Sequence, residues 1–159
     1  MTINIVLDNV RSIHNVGSIF RTSSGAGVNH IYLLGITPTP EDKRIQKTAL
    51  GAEQEVPWTK YESYEELNSY VRIKTAISIE QYKGKSRQLS DIYNSFIKNK
   101  SPHESIFLIF GNEITGVSTD ILKQSNAICE LPMLGKKNSL NISNTVAIVL
   151  YYFLLKNLE

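Results

Sequence analysis

Five short stretches of this chain read as strands, most of them nearly continuous apolar runs, and they leave few folds open. They are Ile3–Leu7, His30–Leu34, Lys74–Ile79, Ile106–Phe110 and Ala127–Leu131. A strand with one wet face alternates apolar and polar residues. A strand apolar at almost every position is covered on both sides, which is the pattern of a parallel sheet. Parallel neighbours need crossovers, and helix-like patterns stand between the runs at Val16–Ala26, Glu41–Leu50, Ser63–Arg72, Ser118–Gln124 and about Ile142–Lys156. Gly25 and Gly27 end the first helix, and Gly35, Pro38 and Pro40 mark a loop after the second strand. The expectation is an α/β fold, a mostly parallel sheet with helices on both faces. Segment Lys83–Pro102, mixed in Lys, Ser, Asn and Tyr, reads as a surface helix with flanking loops. At 159 residues, one domain over 1–159 is expected.

The bulk properties exclude several classes. Hydrophobic residues at 42% and charged residues at 20% argue against disorder, and a net charge of +2 permits a polyanionic partner without pointing to one. Cys129 is the only cysteine, so no internal disulfide forms and a reducing compartment fits; in Ala127–Leu131 it reads as a small buried hydrophobe. The opening run lacks the basic-then-apolar pattern of a secretory leader, and the longest apolar stretch, Val146–Leu155, is about half a membrane span. His14, His30 and His103 lie far apart, so no metal is expected. A cytoplasmic protein without membrane contact is the expectation.

Ligands of open α/β sheets bind beyond the carboxyl ends of the strands, and three loops there carry chemistry. Asn9–Arg21 follows the first run. Asn15 reads as its helix N-cap, Gly17 permits a close approach, and the Arg21 fork suits a phosphate. Gly111-Asn112-Glu113-Ile114-Thr115-Gly116 is a tight turn that puts the carboxylate of Glu113 where a ligand would sit. Leu131–Asn144 runs through Lys136-Lys137 into a helix start where Ser139, Asn141, Ser143 and Asn144 exceed what capping needs. Taken alone, the first loop reads better as a capped helix with a surface arginine and the second as a structural turn, and Lys136 and Lys137 read as solvated turn charges by default, with a phosphate contact as the alternative. Neither a dinucleotide glycine fingerprint nor a P-loop is present, which weighs against a dehydrogenase or NTPase.

Together and in order, these stretches resemble the SpoU (TrmH) family of SPOUT RNA methyltransferases. Asn15-x-Gly17-x-x-x-Arg21 is similar to its first motif, Gly111-Asn112-Glu113 with Gly116 to its second, and Leu131-Pro132-Met133 with Ser139-Leu140-Asn141 to its third. Lys47–Ala52 is similar to a small-residue stretch common in the family, so the likeness covers essentially the whole chain.

The resemblance implies a C-terminal trefoil knot and a homodimer. It also implies S-adenosylmethionine bound by Gly111, Asn112, Leu131, Met133, Ser139, Leu140 and Asn141, with Ile79 and Glu80 adding a contact. Arg21, supported by Asn15 and Glu113, is implied to act on the target ribose 2′-hydroxyl. Guanidinium, with a pKa above about 12, is a poor base; clamping the neighbouring phosphate and stabilising the developing alkoxide suit Arg21 better, and His14 stands as an alternative base. Many relatives carry an added RNA-binding domain or terminal helices, whereas this chain reads as the minimal catalytic unit. By analogy with compact members, tRNA is favoured over rRNA as partner. A non-catalytic RNA-binding protein on the same scaffold, or a base methylator, are the rival readings.

Overall fold

The structure, a computed structural model, describes residues 1–158. Seven strands form one wholly parallel sheet: β1 Thr2–Asp8, β2 His30–Leu34, β3 Trp58–Tyr61, β4 Ala76–Ile79, β5 Arg87–Gln88, β6 Ser105–Phe110 and β7 Ala127–Glu130. Their spatial order is β3-β2-β1-β6-β4-β7-β5. The chain thus winds outward from β1 through β2 and β3, then crosses to build the other half. Among the described residues, α-helices α1 Ile13–Gly25, α2 Lys43–Ala49, α3 Ala52–Glu55, α4 Tyr64–Val71, α5 Leu89–Ile92 and α6 Thr119–Gln124 lie in the connections between strands, a π-helical stretch, Tyr93–Ile97, continues α5, and α7 Ile142–Leu158 follows the last strand.

The unbroken apolar runs are explained by burial on both faces. In β1, β2 and β6, Ile5, Leu7, Ile31, Leu33, Leu108 and Phe110 face a large core under α1 and α7, while Val6, Leu34, Phe107 and Ile109 face a smaller one under α4 and α6. The larger core includes the fully buried rings of Phe20 and Phe153. Gly17 allows this packing to close. A Cβ there would lie 2.8 Å from the Ile45 carbonyl oxygen and 2.7 Å from the Thr48 Cβ, so the close approach it serves is α2 against α1.

Several expectations need correction. Helix α1 begins at Ile13, before the expected Val16, because the Ser12 hydroxyl accepts the Asn15 N–H at 3.3 Å and is the N-cap. Asn15 therefore sits inside the first turn with its side chain free for other work. The fourth strand starts at Ala76, not Lys74, and the fifth of the expected set stops at Glu130. Strand β3 was not anticipated: four half-buried residues on a sheet edge, Lys60 among them, carry almost no periodic signal. Within 83–102, the expected surface helix is a two-residue edge strand followed by a short α-turn and the π-helical stretch. Among the described residues, no helix is long and apolar enough to cross a membrane.

Between its polar first turn and Lys156, helix α7 is apolar on every side from Val146 to Leu155. Ile142, Val146, Val149, Leu150 and Phe153 enter the core, while Ile148, Tyr151, Leu155 and Leu158 are exposed.

Candidate functional site

At the carboxyl ends of β4, β6 and β7 lies a cavity of about 590 Å³, roofed by the segment that leads into α7. Its frame is built from loops that leave parallel strands side by side, so each polar group has a reason for its position.

The loop after β6 is the most tightly held. Asn112 and Gly116 exchange main-chain hydrogen bonds at 3.0 and 2.9 Å. The Asn112 side chain donates to the Asn9 carbonyl at 2.8 Å and accepts the N–H groups of Ile114 and Thr115. Gly111 packs on the returning chain so closely that a Cβ would stand 2.1 Å from Val117 N. Gly116 has φ +72°, and a Cβ on it would meet the Glu80 carboxylate at 2.1 Å. That carboxylate accepts the N–H of Val117 and that of Gln81, both at 3.0 Å. Beneath the loop, buried Asp8 accepts the Ser118 N–H at 2.7 Å.

Glu113 joins this loop to α1. Its carboxylate accepts the N–H groups of Arg11 and Ser12 and the Asn15 side-chain amide, each at 3.0 Å. Partial burial pushes its pKa up, but the Arg11 N–H, the Asn15 amide and the Ser12 N–H outweigh that and hold the carboxyl below its ordinary value. Asn15 in turn accepts from the Asn141 amide at 3.1 Å, and Asn141 Oδ1 accepts the Ser143 N–H at 2.9 Å at the start of α7. A chain of polar contacts, Glu113–Asn15–Asn141, therefore ties all three loops together.

The residues expected to hold a cofactor converge here. Ile79, Glu80, Gly111, Asn112, Leu131, Met133, Ser139, Leu140 and Asn141 all line the cavity, as does Glu113, and Asn15 touches it through Glu113 and Asn141. Arg21 does not line it. It is exposed on α1, six residues or about 9 Å of helix rise beyond Asn15, and its side chain makes no hydrogen bond or ion pair among the described residues. His14 is exposed, with only a marginal 3.5 Å contact to the Thr48 hydroxyl. Sequence reasoning missed Gln81, Glu130, Asn138 and Thr145, which also line the cavity. Thr145 was accessible in principle, since it follows Asn141 by four residues on the same helix face.

The electrostatic character of the cavity is one-sided. Its ionisable lining is Glu80, Glu113 and Glu130, with no lysine or arginine, apart from the Cys129 thiol, which burial pushes up to about 12 and so keeps neutral. Apolar walls come from Ile79, Leu131, Met133 and Leu140. Such a cavity repels phosphates and suits a part-apolar ligand bearing positive charge. Among the described residues, no cluster of His, Cys, Asp or Glu gathers as a metal site would require.

Comparison with known proteins agrees with this geometry. Residues 2–151 match the model of the SpoU rRNA Methylase family. The chain is 25% identical over 154 residues to the 23S rRNA (guanosine(2553)-2′-O)-methyltransferase RlmP of Bacillus subtilis, covering 93% of this chain and 56% of that protein. It is 26% identical over 161 residues to the tRNA (guanosine(18)-2′-O)-methyltransferase of Borreliella burgdorferi, covering 97% of this chain and 66% of that one. This chain thus spans less than two thirds of either relative. The crystal structure of the SpoU methyltransferase AviRb from Streptomyces viridochromogenes, in complex with AdoMet, superposes with a TM-score of 0.86 at 19% identity, over 99% of this chain and 61% of that one.

Proposed function

The chain belongs to the SpoU rRNA Methylase family, and from that premise we propose that it is an S-adenosylmethionine-dependent RNA 2′-O-ribose methyltransferase acting as a homodimer. The observation that carries this reading is the cavity: three carboxylates and no cation beside apolar walls, at the strand ends where all three motifs meet. S-adenosylmethionine carries a sulfonium and an ammonium against one carboxylate, so it matches that charge, and it supplies an electrophilic methyl. Ile79, Leu131, Met133 and Leu140 offer its adenine and thioether parts an apolar seat, while Ser139, Asn141 and the backbone at Gly111 and Asn112 offer polar contacts. Glu80 acts mainly by fixing the loop at Val117 and by its charge. The segment 131–141, which returns from β7 across the strand ends to α1, is read as the crossing that closes a trefoil knot.

What the protein must add is a positioned, activated ribose hydroxyl. Alignment is worth on the order of 7–11 kcal/mol in the best cases. Arg21 is assigned to clamp the adjoining phosphate and stabilise the developing alkoxide, with Asn15 and Glu113 ordering the first loop; the alternative gives His14 the base role. Because Arg21 stands off its own cavity, its target is read as the cavity of a partner protomer. The uncovered apolar face of α7, at Ile148, Tyr151 and Leu155, has the chemistry of a self-complementary contact.

Both relatives above are named for RNA ribose methylation, one on tRNA and one on rRNA. Of the two, tRNA is the substrate we favour, and a cytoplasmic location goes with either RNA. The test is transfer of labelled methyl from S-adenosylmethionine to bulk tRNA and rRNA, with Arg21→Ala as control. Label in one pool, at a single alkali-resistant step and lost in the variant, is expected. Label on a base would move the reaction to base methylation, and cofactor binding without label in either pool would favour a non-catalytic RNA-binding role.

A further inference from the structure

At the opposite end of the sheet lies a second cavity, of about 410 Å³, with the reverse electrostatic character. It opens where β1, β4 and β6 begin, on the face that only α4 and α6 cover. One wall is aromatic: the rings of Tyr32 and Phe107 stand 5.9 Å apart, and Tyr32 also stacks on His30 at 4.4 Å. The rim is cationic. Lys100 is paired with Glu104 at 2.6 Å, but the side chains of Arg72 and Lys74 make no hydrogen bond or ion pair among the described residues. Arg72 is held at φ +54°, in the left-handed region that side-chain-bearing residues rarely occupy. The floor includes Asn4, only 2% exposed; its oxygen accepts from Asn29 at 3.1 Å, while its amide makes one long contact of 3.4 Å to the Ile106 carbonyl, leaving donor capacity in the cavity wall.

We infer that this second cavity takes one unpaired nucleotide of RNA, its base against the exposed part of the Tyr32 ring, which the buried Phe107 backs, and its phosphate at Arg72 and Lys74. Aromatic rings beside unpaired cations are the chemistry that binds single strands, because every base has a stackable face and every nucleotide one negative charge. A duplex keeps its bases stacked inside and cannot deliver one into a recess of this size. An acidic protein segment would satisfy the cations but make no use of the exposed part of the Tyr32 ring. Strand β6 runs from Ser105 at this cavity to Phe110 at the other, about 16 Å away. The site therefore grips the RNA away from the reacting ribose. The inference rests on the RNA substrate proposed above, and it predicts a role in RNA affinity rather than in chemistry.

The test is a fluorescence-anisotropy titration of the full chain with a short labelled single-stranded RNA and with a matched duplex. The double variant Arg72→Asn/Lys74→Gln suits it, because both residues are exposed and asparagine tolerates the left-handed region. Single-strand affinity is expected to fall at least tenfold, with the slope of log affinity against log salt reduced by about 1.4. S-adenosylmethionine binding should be unchanged, and Tyr32→Leu should weaken the single strand while sparing the duplex. Unchanged single-strand affinity in the double variant overturns the inference. So does a polyglutamate peptide that competes as well as the RNA. Strand binding that depends on Arg72 and Lys74 without methyl transfer would sink the proposed function and leave this site standing. Methyl transfer with an unaltered RNA KM in the double variant would do the reverse.

Discussion

The two loops that frame the acidic cavity could hardly differ more. Between Gly111 and Gly116 the side-chain oxygen and amide of Asn112 are engaged, the Asn112 and Gly116 main chains pair with each other, Glu113 is tied to the first loop, and Glu80 holds Val117 just beyond. From Leu134 to Leu140 every residue is exposed, Leu134 at 98%, and the Ser139 side chain makes no hydrogen bond among the described residues. The first loop is a frame whose geometry is settled before any ligand arrives. The second has its donors and apolar groups still to spend, which is what a segment closing over a ligand requires. Binding energy is therefore expected to come from the open loop, and binding geometry from the closed one.

The sharpest way to break that contrast is Gly111→Ala. Its Cβ would meet the main chain at Gly116 and Val117, which no side-chain rotation relieves. A loss of about 3 kcal/mol in denaturant unfolding is expected, with cofactor binding abolished. A variant of near-native stability would mean the frame is pliable.

Glu113→Gln should act next most strongly. Three N–H donors lose a charged acceptor, worth about 1 kcal/mol once the exposure of the residue and solvent screening are allowed for. The pH dependence carries the sign. The folded carboxyl titrates below its unfolded value, so its contribution is complete above the ordinary carboxylate pKa and disappears as pH falls through the lowered folded one. Urea midpoints measured down that acid range should fall more steeply for the native chain than for Glu113→Gln. Parallel curves would remove the carboxylate from the account.

How far this arrangement is legible in the sequence differs between the same two loops. The unbroken runs announce buried parallel strands, and the rule that ligands sit at their carboxyl ends singles out both loops. The residues that converge on the cavity, from Ile79 to Asn141, follow from the motif likeness in order. Position within a turn is another matter. Asn15 reads as a cap, yet Ser12 takes that role because it lies three residues earlier with its hydroxyl on the Asn15 N–H, and only the fold shows Asn15 bridging Glu113 to Asn141. Glu80 reads as a ligand contact, and its part in holding Val117 depends on a partner 37 residues away. Strands β3 and β5 escape for a related reason. Short edge strands owe their existence to a neighbour, not to a local pattern.

On the open loop the effect should be smallest in stability and clearest in binding. Ser139→Ala removes a hydroxyl with no partner in the fold, so unfolding should change by less than about 0.5 kcal/mol. S-adenosylmethionine affinity, measured by calorimetry, should fall about tenfold for the lost hydrogen bond. A stability loss comparable to that of Glu113→Gln would place Ser139 in the frame.

The measurement that bears most directly on the central claim joins the cavity to the arginine that stands away from it. Arg21→Ala and Asn141→Ala proteins, each inactive in methyl transfer to RNA, are mixed and allowed to exchange subunits. Partial recovery of activity is predicted, because a mixed dimer holds one cavity with intact Asn141 facing one intact Arg21. No recovery, with exchange demonstrated independently, would contradict a site shared between protomers and require Arg21 to act within its own chain or not at all.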